Sequence, residues 1–254
     1  MLFDPTIFLQ ALVSPALIQG ALITIVLSIC VQATAFVLCL PVAIGLSSKR
    51  RLVRWALAVY VWLFRSAPMI LVLLFIWNGL PQLFPMFRST WFTPFLAAYI
   101  GMTMVGVAYN AEIMRAALAS LGTGQREAAA ALGLNRFQAF RLIVLPQAMR
   151  IALPSLMNEF ISLLKSTSLA YTISLRELMT TTSLSISASF RFTEWYACAF
   201  LYYLAMVSIL TLAQARIEKR MSAPYSRSNK QGRESSRTAS ARQPGPAHAI
   251  DQNL

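Results

Sequence analysis

The sequence predicts an all-α integral membrane protein with about five transmembrane helices, its N-terminus outside, and a helical cytoplasmic loop between spans three and four. Three observations lead there. Of 254 residues, 57% are hydrophobic and only 12% charged, against roughly 45–50% and 25% in an ordinary soluble domain. Several uncharged runs reach the ~20 residues that a helix needs to cross the hydrocarbon core. The basic residues are gathered into alternate gaps between those runs.

Span one is read at 17–46, because no ionisable residue other than cysteine separates Asp4 from Lys49. Asp4 stands where a cleavable signal would carry basic residues, and the apolar run is too long for a signal core, so the segment is expected to stay as a span. Span two, at 52–80, is interrupted by Arg65, Ser66 and Pro68. After a loop with Pro81 and Pro85, span three follows at 93–117. Span four, at 151–174, contains Glu159 and Lys165, and span five lies at 194–216. Pro41, Pro68 and Pro154 are expected to kink helices or mark their ends, because proline removes an internal hydrogen bond. Trp55, Trp91 and Trp195 fall near span ends and fit an aromatic belt.

Orientation comes from Lys and Arg. Lys49, Arg50, Arg51 and Arg54 share one gap; Arg115, Arg126, Arg136, Arg141 and Arg150 lie in or beside the long central one; more follow Arg216. The opposite side has Arg88 and Arg191. Basic loops stay inside, so the spans and the central loop form one transmembrane domain over 1–221 with its C-terminus cytoplasmic. Residues 222–254 are rich in Ser, Arg, Gln, Gly and Pro and are expected to form a disordered basic cytoplasmic tail. The net charge of +13 follows from this topology, and no nucleic-acid partner is inferred. Cys30, Cys39 and Cys198 have no metal-ligand or redox spacing. No phosphate-binding GxxxxGK[ST] segment, zinc motif or nucleophile–base set appears, and His248 sits in the tail, so no enzymatic chemistry is expected of this chain.

The gap at 118–150 is more than a tether. Thr123 is a suitable N-cap, Glu127 lies in the first turn where a carboxylate complements the helix dipole, and Ala128 to Ala131 are strong helix formers. Gly133 suits the stop. Asn135 and Gln138 have capping-box spacing for a second helix with Phe137, Phe140 and Val144 at helical intervals, which Pro146 is expected to interrupt. Two short helices joined at a glycine form a surface suited to docking.

Charges within spans are costly, about 2.5–3.5 kcal/mol each on insertion scales, so they are expected to face the bundle interior. Arg65 lies on the order of 16 Å along a helix from Arg54. Arg65, Glu159, Lys165, Thr167 and Ser168 supply the donors and acceptors that a zwitterionic solute needs in a dry path. The alternative is that Arg65 or Lys165 pairs with Glu159 or Glu112 to hold the bundle. Glu112 and Arg115, three apart, have the spacing of an intrahelical ion pair.

The loop pattern of Glu127-Ala128-Ala129, Gly133 six residues after the glutamate, and Leu145-Pro146 resembles the signature of ABC importer permeases. The likeness extends to the polar amino acid branch of that family. Tyr60 to Pro68 reads YVWLFRSAP against its Y-V-x-x-F-R-G-T-P pattern, Asn78 to Pro81 reads NGLP, and Tyr109 to Arg115 reads YNAEIMR. NEFISLLKSTSL from Asn158 and Arg176-Glu177-Leu178 complete it. Ser66-Ala67 stands in place of Gly-Thr, and Lys165-Ser166-Thr167 in place of Lys-Asp-Thr. The resemblance implies a bacterial inner-membrane subunit importing a polar amino acid or related solute by alternating access. It implies that Gly124, Glu127, Ala128, Ala129, Gly133 and Arg136 couple the chain to an ATPase subunit dimer. ATP and magnesium would then bind that partner, with no cofactor on this chain. A second permease, the same or homologous, and an extracytoplasmic solute-binding protein are implied as further partners, alongside the lipid membrane itself. An ion-driven carrier or channel is the alternative, but the inverted repeats it would need are not evident.

Overall fold

A computed structural model describes residues 3–122 and 124–240, and among these every regular element is helical. The first two helices are separate. Helix α1 spans Pro5–Leu12, with Asp4 as its N-cap accepting from the Thr6 N–H (2.9 Å), the Thr6 hydroxyl (2.5 Å) and the Ile7 N–H (3.4 Å). Those bonds, the Thr6 hydroxyl first, hold the Asp4 carboxyl below its usual range. Helix α2 spans Pro15–Leu46, capped by Ser14, and the placement of Pro15 in its first turn explains the break from α1.

Span two is broken. Helix α3, Arg51–Ser66, ends at the extended Ala67 that Pro68 requires, and α4, Met69–Leu74, continues through a π turn into α5, Leu80–Leu83. The two halves meet at 107°. A 3₁₀ turn at Pro85–Arg88 leads to α6, Pro94–Ser120. Beyond it come α7, Gly124–Ala131; α8, Arg136–Ala139; and α9, Leu145–Ser166, which continues as a 3₁₀ turn to Ile173. Helix α10 is Leu178–Ser189 and α11 is Phe192–Ser240.

Among the described residues, three helical stretches are long and apolar enough to cross a membrane by length and composition: Pro15–Leu46, Arg136–Ile173 and Phe192–Lys219. The bent pair Arg51–Ser66 and Met69–Leu83 makes a fourth. Expected span three, α6, is not among them although it has 27 residues. The physical reason is its place at the centre. It packs against α2, α3, α4 and α9, so its polar Thr103, Tyr109, Asn110, Glu112 and Arg115 meet protein more than lipid. Small residues permit that packing: a Cβ on Gly106 would come 3.3 Å from Ala35 Cβ, tighter than an ordinary contact between side chains. Thr34 and Tyr99 hydroxyls (2.8 Å apart) and Asn110 Nδ2 to Gln32 Oε1 (3.5 Å) add polar links between α2 and α6.

Helix α1 lies along α11, fixed near both ends. The Asp4 N–H donates to Glu194 Oε1 (3.0 Å), Cys198 Sγ donates to the Phe8 carbonyl (3.4 Å), and the Tyr202 hydroxyl donates to the Leu12 carbonyl (2.7 Å). Positions 194, 198 and 202 recur at i+4, so one stripe of α11 meets successive turns of α1.

One sequence expectation is corrected here. Pro146 does not interrupt the second loop helix: a π turn at Phe140–Val144 precedes it, leaving Pro146 in the first turn of α9, where proline is tolerated. Pro154 sits inside α9 and Pro41 inside α2, while Pro68 follows the end of α3. Contacts divide the chain into Met1–Thr211 and Leu212–Leu254. In the second unit, Gln214 Nε2 donates to Glu218 Oε1 at 2.9 Å. Helix extends there to Ser240, into the stretch expected to be unfolded; propagation from an existing helix needs no new nucleus. Residues 241–254, with His248, lie outside the described residues, as does Thr123.

Candidate functional site

The break between α3 and α4 exposes backbone that a continuous helix would satisfy, and α6 supplies a partner. The Tyr109 hydroxyl donates to the Arg65 carbonyl at 3.2 Å, one of the terminal carbonyls left without an intrahelical N–H. The guanidinium of Arg65 lies over the same ring, its Cζ 5.4 Å from the centroid, at cation–π distance. One turn back along α3, the Tyr60 hydroxyl donates to the Met104 carbonyl of α6 at 2.6 Å. The broken end of α3 is thus held against α6 by two tyrosines.

On the other side of that break lies a cavity of about 330 Å³ lined by Ala67 and Met69 from the break, Tyr109 from α6, and Glu159, Ser162 and Ser166 from α9. Residues 159, 162 and 166 stand at i, i+3 and i+7, a single helical face. The half-buried Glu159 is the carboxylate in this lining, with the serine hydroxyls above it. Among the described residues no ion pair joins Glu159 to Arg65 or Lys165; the ion pairs recorded are Glu112–Arg115 and Arg191–Glu194.

The expected set of five path residues is therefore divided. Glu159 lines the cavity, and Arg65 is joined to it through Tyr109. Lys165 is exposed, six residues on from Glu159 and so about 240° around the helix, away from the cavity. The Ser168 hydroxyl donates to the Lys165 carbonyl at 2.9 Å, within its own turn. Thr167 is fully buried, donating to the Leu164 carbonyl at 2.7 Å and facing the Tyr203 hydroxyl.

Tyr109, Ser162 and Ser166 entered the sequence reading only as parts of motifs and not as path residues. Helical spacing from Glu159 points to both serines. Glu177 was also passed over except as part of a motif. It is fully buried and caps α10, accepting from the N–H groups of Met179 (2.8 Å) and Thr180 (2.7 Å), the Thr180 hydroxyl (3.0 Å) and the Tyr203 hydroxyl (3.3 Å). The Leu178 N–H donates to Thr24 Oγ1 of α2 at 3.3 Å. This cluster ties α2, α10 and α11 together around one carboxylate, and Gly20 lets it close: a Cβ there would come 3.0 Å from Leu178 Cα.

The loop residues form a second, separate feature. In α7, Glu127 and Ala128 are exposed while Ala129 is fully buried, so the alanine run has an inner and an outer side. Gly133 adopts φ +76, the left-handed turn that ends α7, and the N–H groups of Gly133 and Leu134 return to the Ala130 and Ala129 carbonyls at 2.9 and 3.1 Å. Asn135 and Gln138 complete the expected capping box at the start of α8, with Arg136 exposed beside them. Gln147 Nε2 of α9 donates to Gln125 Oε1 of α7 at 3.2 Å, connecting the loop helix to the long helix behind it. Leu132 and Phe137, 78% and 69% exposed, flank the turn at Gly133. The expected intrahelical pair is present in α6: Arg115 donates from Nη2 and Nε to the two Glu112 oxygens at 2.6 and 2.9 Å.

Comparison with known proteins bears on both features. "Probable amino-acid permease protein YxeN" of Bacillus subtilis (strain 168) is 37% identical over 211 residues, covering 83% of this chain and 93% of that protein. "Probable amino-acid ABC transporter permease protein PatM" of Vibrio harveyi is 41% identical over 169 residues, 66% of this chain and 75% of that one. A crystal structure titled as an amino acid ABC transporter with histidines superposes with a TM-score of 0.78 at 28% identity, covering 87% of this chain and 100% of the other. The profile of the binding-protein-dependent transport system inner membrane component family matches residues 36–223. The chain belongs to that family: it is a membrane-embedded, non-catalytic permease subunit of an ABC transporter, whose ATPase is a separate subunit.

Proposed function

We propose that this permease carries a polar amino acid or a related small solute into the cell, along a path that passes the break between α3 and α4. The observation that carries the reading is the meeting of that break with the Glu159 cavity. A zwitterion needs an acceptor for its ammonium and a donor for its carboxylate within a few Å of each other. Glu159 with Ser162 and Ser166 supplies the first, and Arg65, seated on Tyr109, the second. Interrupted helices near mid-membrane are where transporters place such sites, because irregular backbone is tolerated only against protein or a cavity.

In this reading the chain crosses the membrane five times with its N-terminus outside, α6 being the third, central crossing. The tail after Met221 is cytoplasmic, and the loop over 118–150 faces the same compartment. Glu127, Ala128 and Arg136 form the outer surface of the loop that an ATPase dimer grips, while Ala129 packs behind it and Gly133 sets its turn. ATP and magnesium act on that partner. A binding protein delivers solute outside, closure of the ATPase pair moves α7, and the Gln125–Gln147 link passes the motion to α9, which carries Glu159. A second permease, identical or homologous, completes the path.

The test replaces Glu159 with Gln in the assembled transporter and follows uptake of a panel of labelled amino acids with the cognate binding protein present. Uptake is expected to fall at least about tenfold, the scale of one lost charge-assisted bond, with assembly unchanged. Lost assembly with unchanged transport per complex would assign Glu159 to holding the bundle.

A further inference from the structure

A second polar cavity, about 720 Å³, opens between α3 and α6 and has no part in the path described above except through Arg65. Its α3 wall carries Arg51, Arg54 and Arg65; its α6 wall carries Glu112 and Arg115. The bidentate ion pair within α6 engages the one carboxylate of this lining, so Arg51 and Arg54 face the cavity without an ion pair among the described residues. Arg54 donates to the Ser48 carbonyl, at 3.4 Å, and Arg65 lies over the Tyr109 ring, with Glu112 and Glu159 close enough to attract it electrostatically.

That arrangement is unfavourable by itself. Arg51 and Arg54 are like charges three apart on one helical face. They also lie at the positive end of α3, whose N-cap Arg50 makes no side-chain bond and whose first turn holds no acidic residue. An anion in the cavity would relieve all of these at once.

The surroundings distinguish which anion. Trp55 and Trp62, two turns apart on α3, also line the cavity, and each is 67% exposed. Trp55, one turn from Arg51, stands at the level where tryptophans border headgroups and acyl chains, and Trp62 with exposed Leu52 and Leu63 extends the apolar surface beside it. A free phosphate would fill a small part of the volume and leave the indoles unused. We propose that the cavity between α3 and α6 is a binding site for the phosphate headgroup of an anionic phospholipid, with Arg51 and Arg54 holding the phosphate and the two tryptophans bordering the acyl chains. Such a lipid steadies the Arg51 end of α3, and through that helix the Arg65 end of the break.

The experiment uses the full chain in its purified transporter. Lipid retention is read by native mass spectrometry, and thermal midpoint by titration with phosphatidylglycerol, phosphatidylcholine or inorganic phosphate. The variants are R51Q/R54Q, the charge-keeping R51K/R54K, and R141Q as a loop charge removed from elsewhere. Phosphatidylglycerol is expected to be retained and to raise the midpoint where phosphatidylcholine does not. R51Q/R54Q is expected to weaken its binding by about thirty-fold, at about fivefold per basic residue near a membrane surface, while R51K/R54K keeps most of it and R141Q changes it little. Equal retention of the two lipids, equal loss in R141Q, or a midpoint shift reproduced by inorganic phosphate would each overturn the proposal. So would loss of a co-purifying subunit in R51Q/R54Q with lipid retention intact, which would give the cavity to a protein partner.

Discussion

Tyr109 holds Arg65 twice, by its hydroxyl on the Arg65 carbonyl at 3.2 Å and by its ring beneath the guanidinium at 5.4 Å. The first contact closes the frayed end of a broken helix, and the second fixes a charge beside a membrane cavity. Because one residue does both, the two effects can be separated by substitution.

Tyr109→Phe keeps the ring and removes the hydroxyl. The lost bond is worth about 0.5–1.5 kcal/mol, so uptake is expected to fall by about two- to tenfold with little change in expression. Tyr109→Ala also removes the platform under Arg65 and is expected to lose more. Initial uptake rates per assembled complex check the order; equal rates for Tyr109→Phe and the parent would remove the hydroxyl from the account.

Glu177 has a different role from Glu159 although both are carboxylates inside the bundle. Glu177→Ala strands the N–H groups of Met179 and Thr180 and the Tyr203 hydroxyl in a fully enclosed site. A loss of about 1–3 kcal/mol is expected for each unsatisfied group at most. Thermal melting of the purified protein should show a lower midpoint and reduced yield. Glu177→Gln, which keeps an acceptor oxygen, is expected to recover part of the loss, and a midpoint unaffected by Glu177→Ala would contradict the capping role.

Phe190 ends α10 in the left-handed region, φ 56 and ψ 23, with its ring 69% exposed. That conformation costs an L-residue about 1–2 kcal/mol, whereas glycine adopts it freely. Phe190→Gly is therefore expected to stabilise by about 1 kcal/mol, or about 2–4 °C in melting midpoint. A lowered midpoint would mean that the exposed ring has a packing partner worth more than the strain.

The membrane class and the loop were legible because their signals are local. Apolar runs give α2 and the start of α11, and Asn135, Gln138 and Gly133 give the capping box and the turn one residue at a time. The break at Pro68 was legible as a disturbance in span two, though not as a turn of 107°. Whether helix register places side chains together is a different matter. Glu159, Lys165, Thr167 and Ser168 are close in sequence, yet a helix turns about 100° per residue, and only Glu159 among them reaches the cavity. Ser162 and Ser166 share its face but carry no charge to draw notice. Glu177 and Tyr203 are 26 residues apart, and nothing in the local pattern of either announces the other. Central α6 was legible by length, but its polar residues lower the very signal that marks a span, because neighbouring helices cover it in place of lipid.

The central claim is that a separate ATPase drives this permease through the loop helix that begins at Gly124. The most direct measurement is ATP hydrolysis by the assembled transporter, with and without solute-loaded binding protein, for the parent and for Glu127→Ala. Glu127 is exposed and has no ion pair among the described residues, so the variant should insert into the membrane as the parent does. Stimulated hydrolysis and uptake are expected to be lost together, with the ATPase no longer co-purifying at the parental ratio. Full stimulation and uptake by Glu127→Ala would contradict the account.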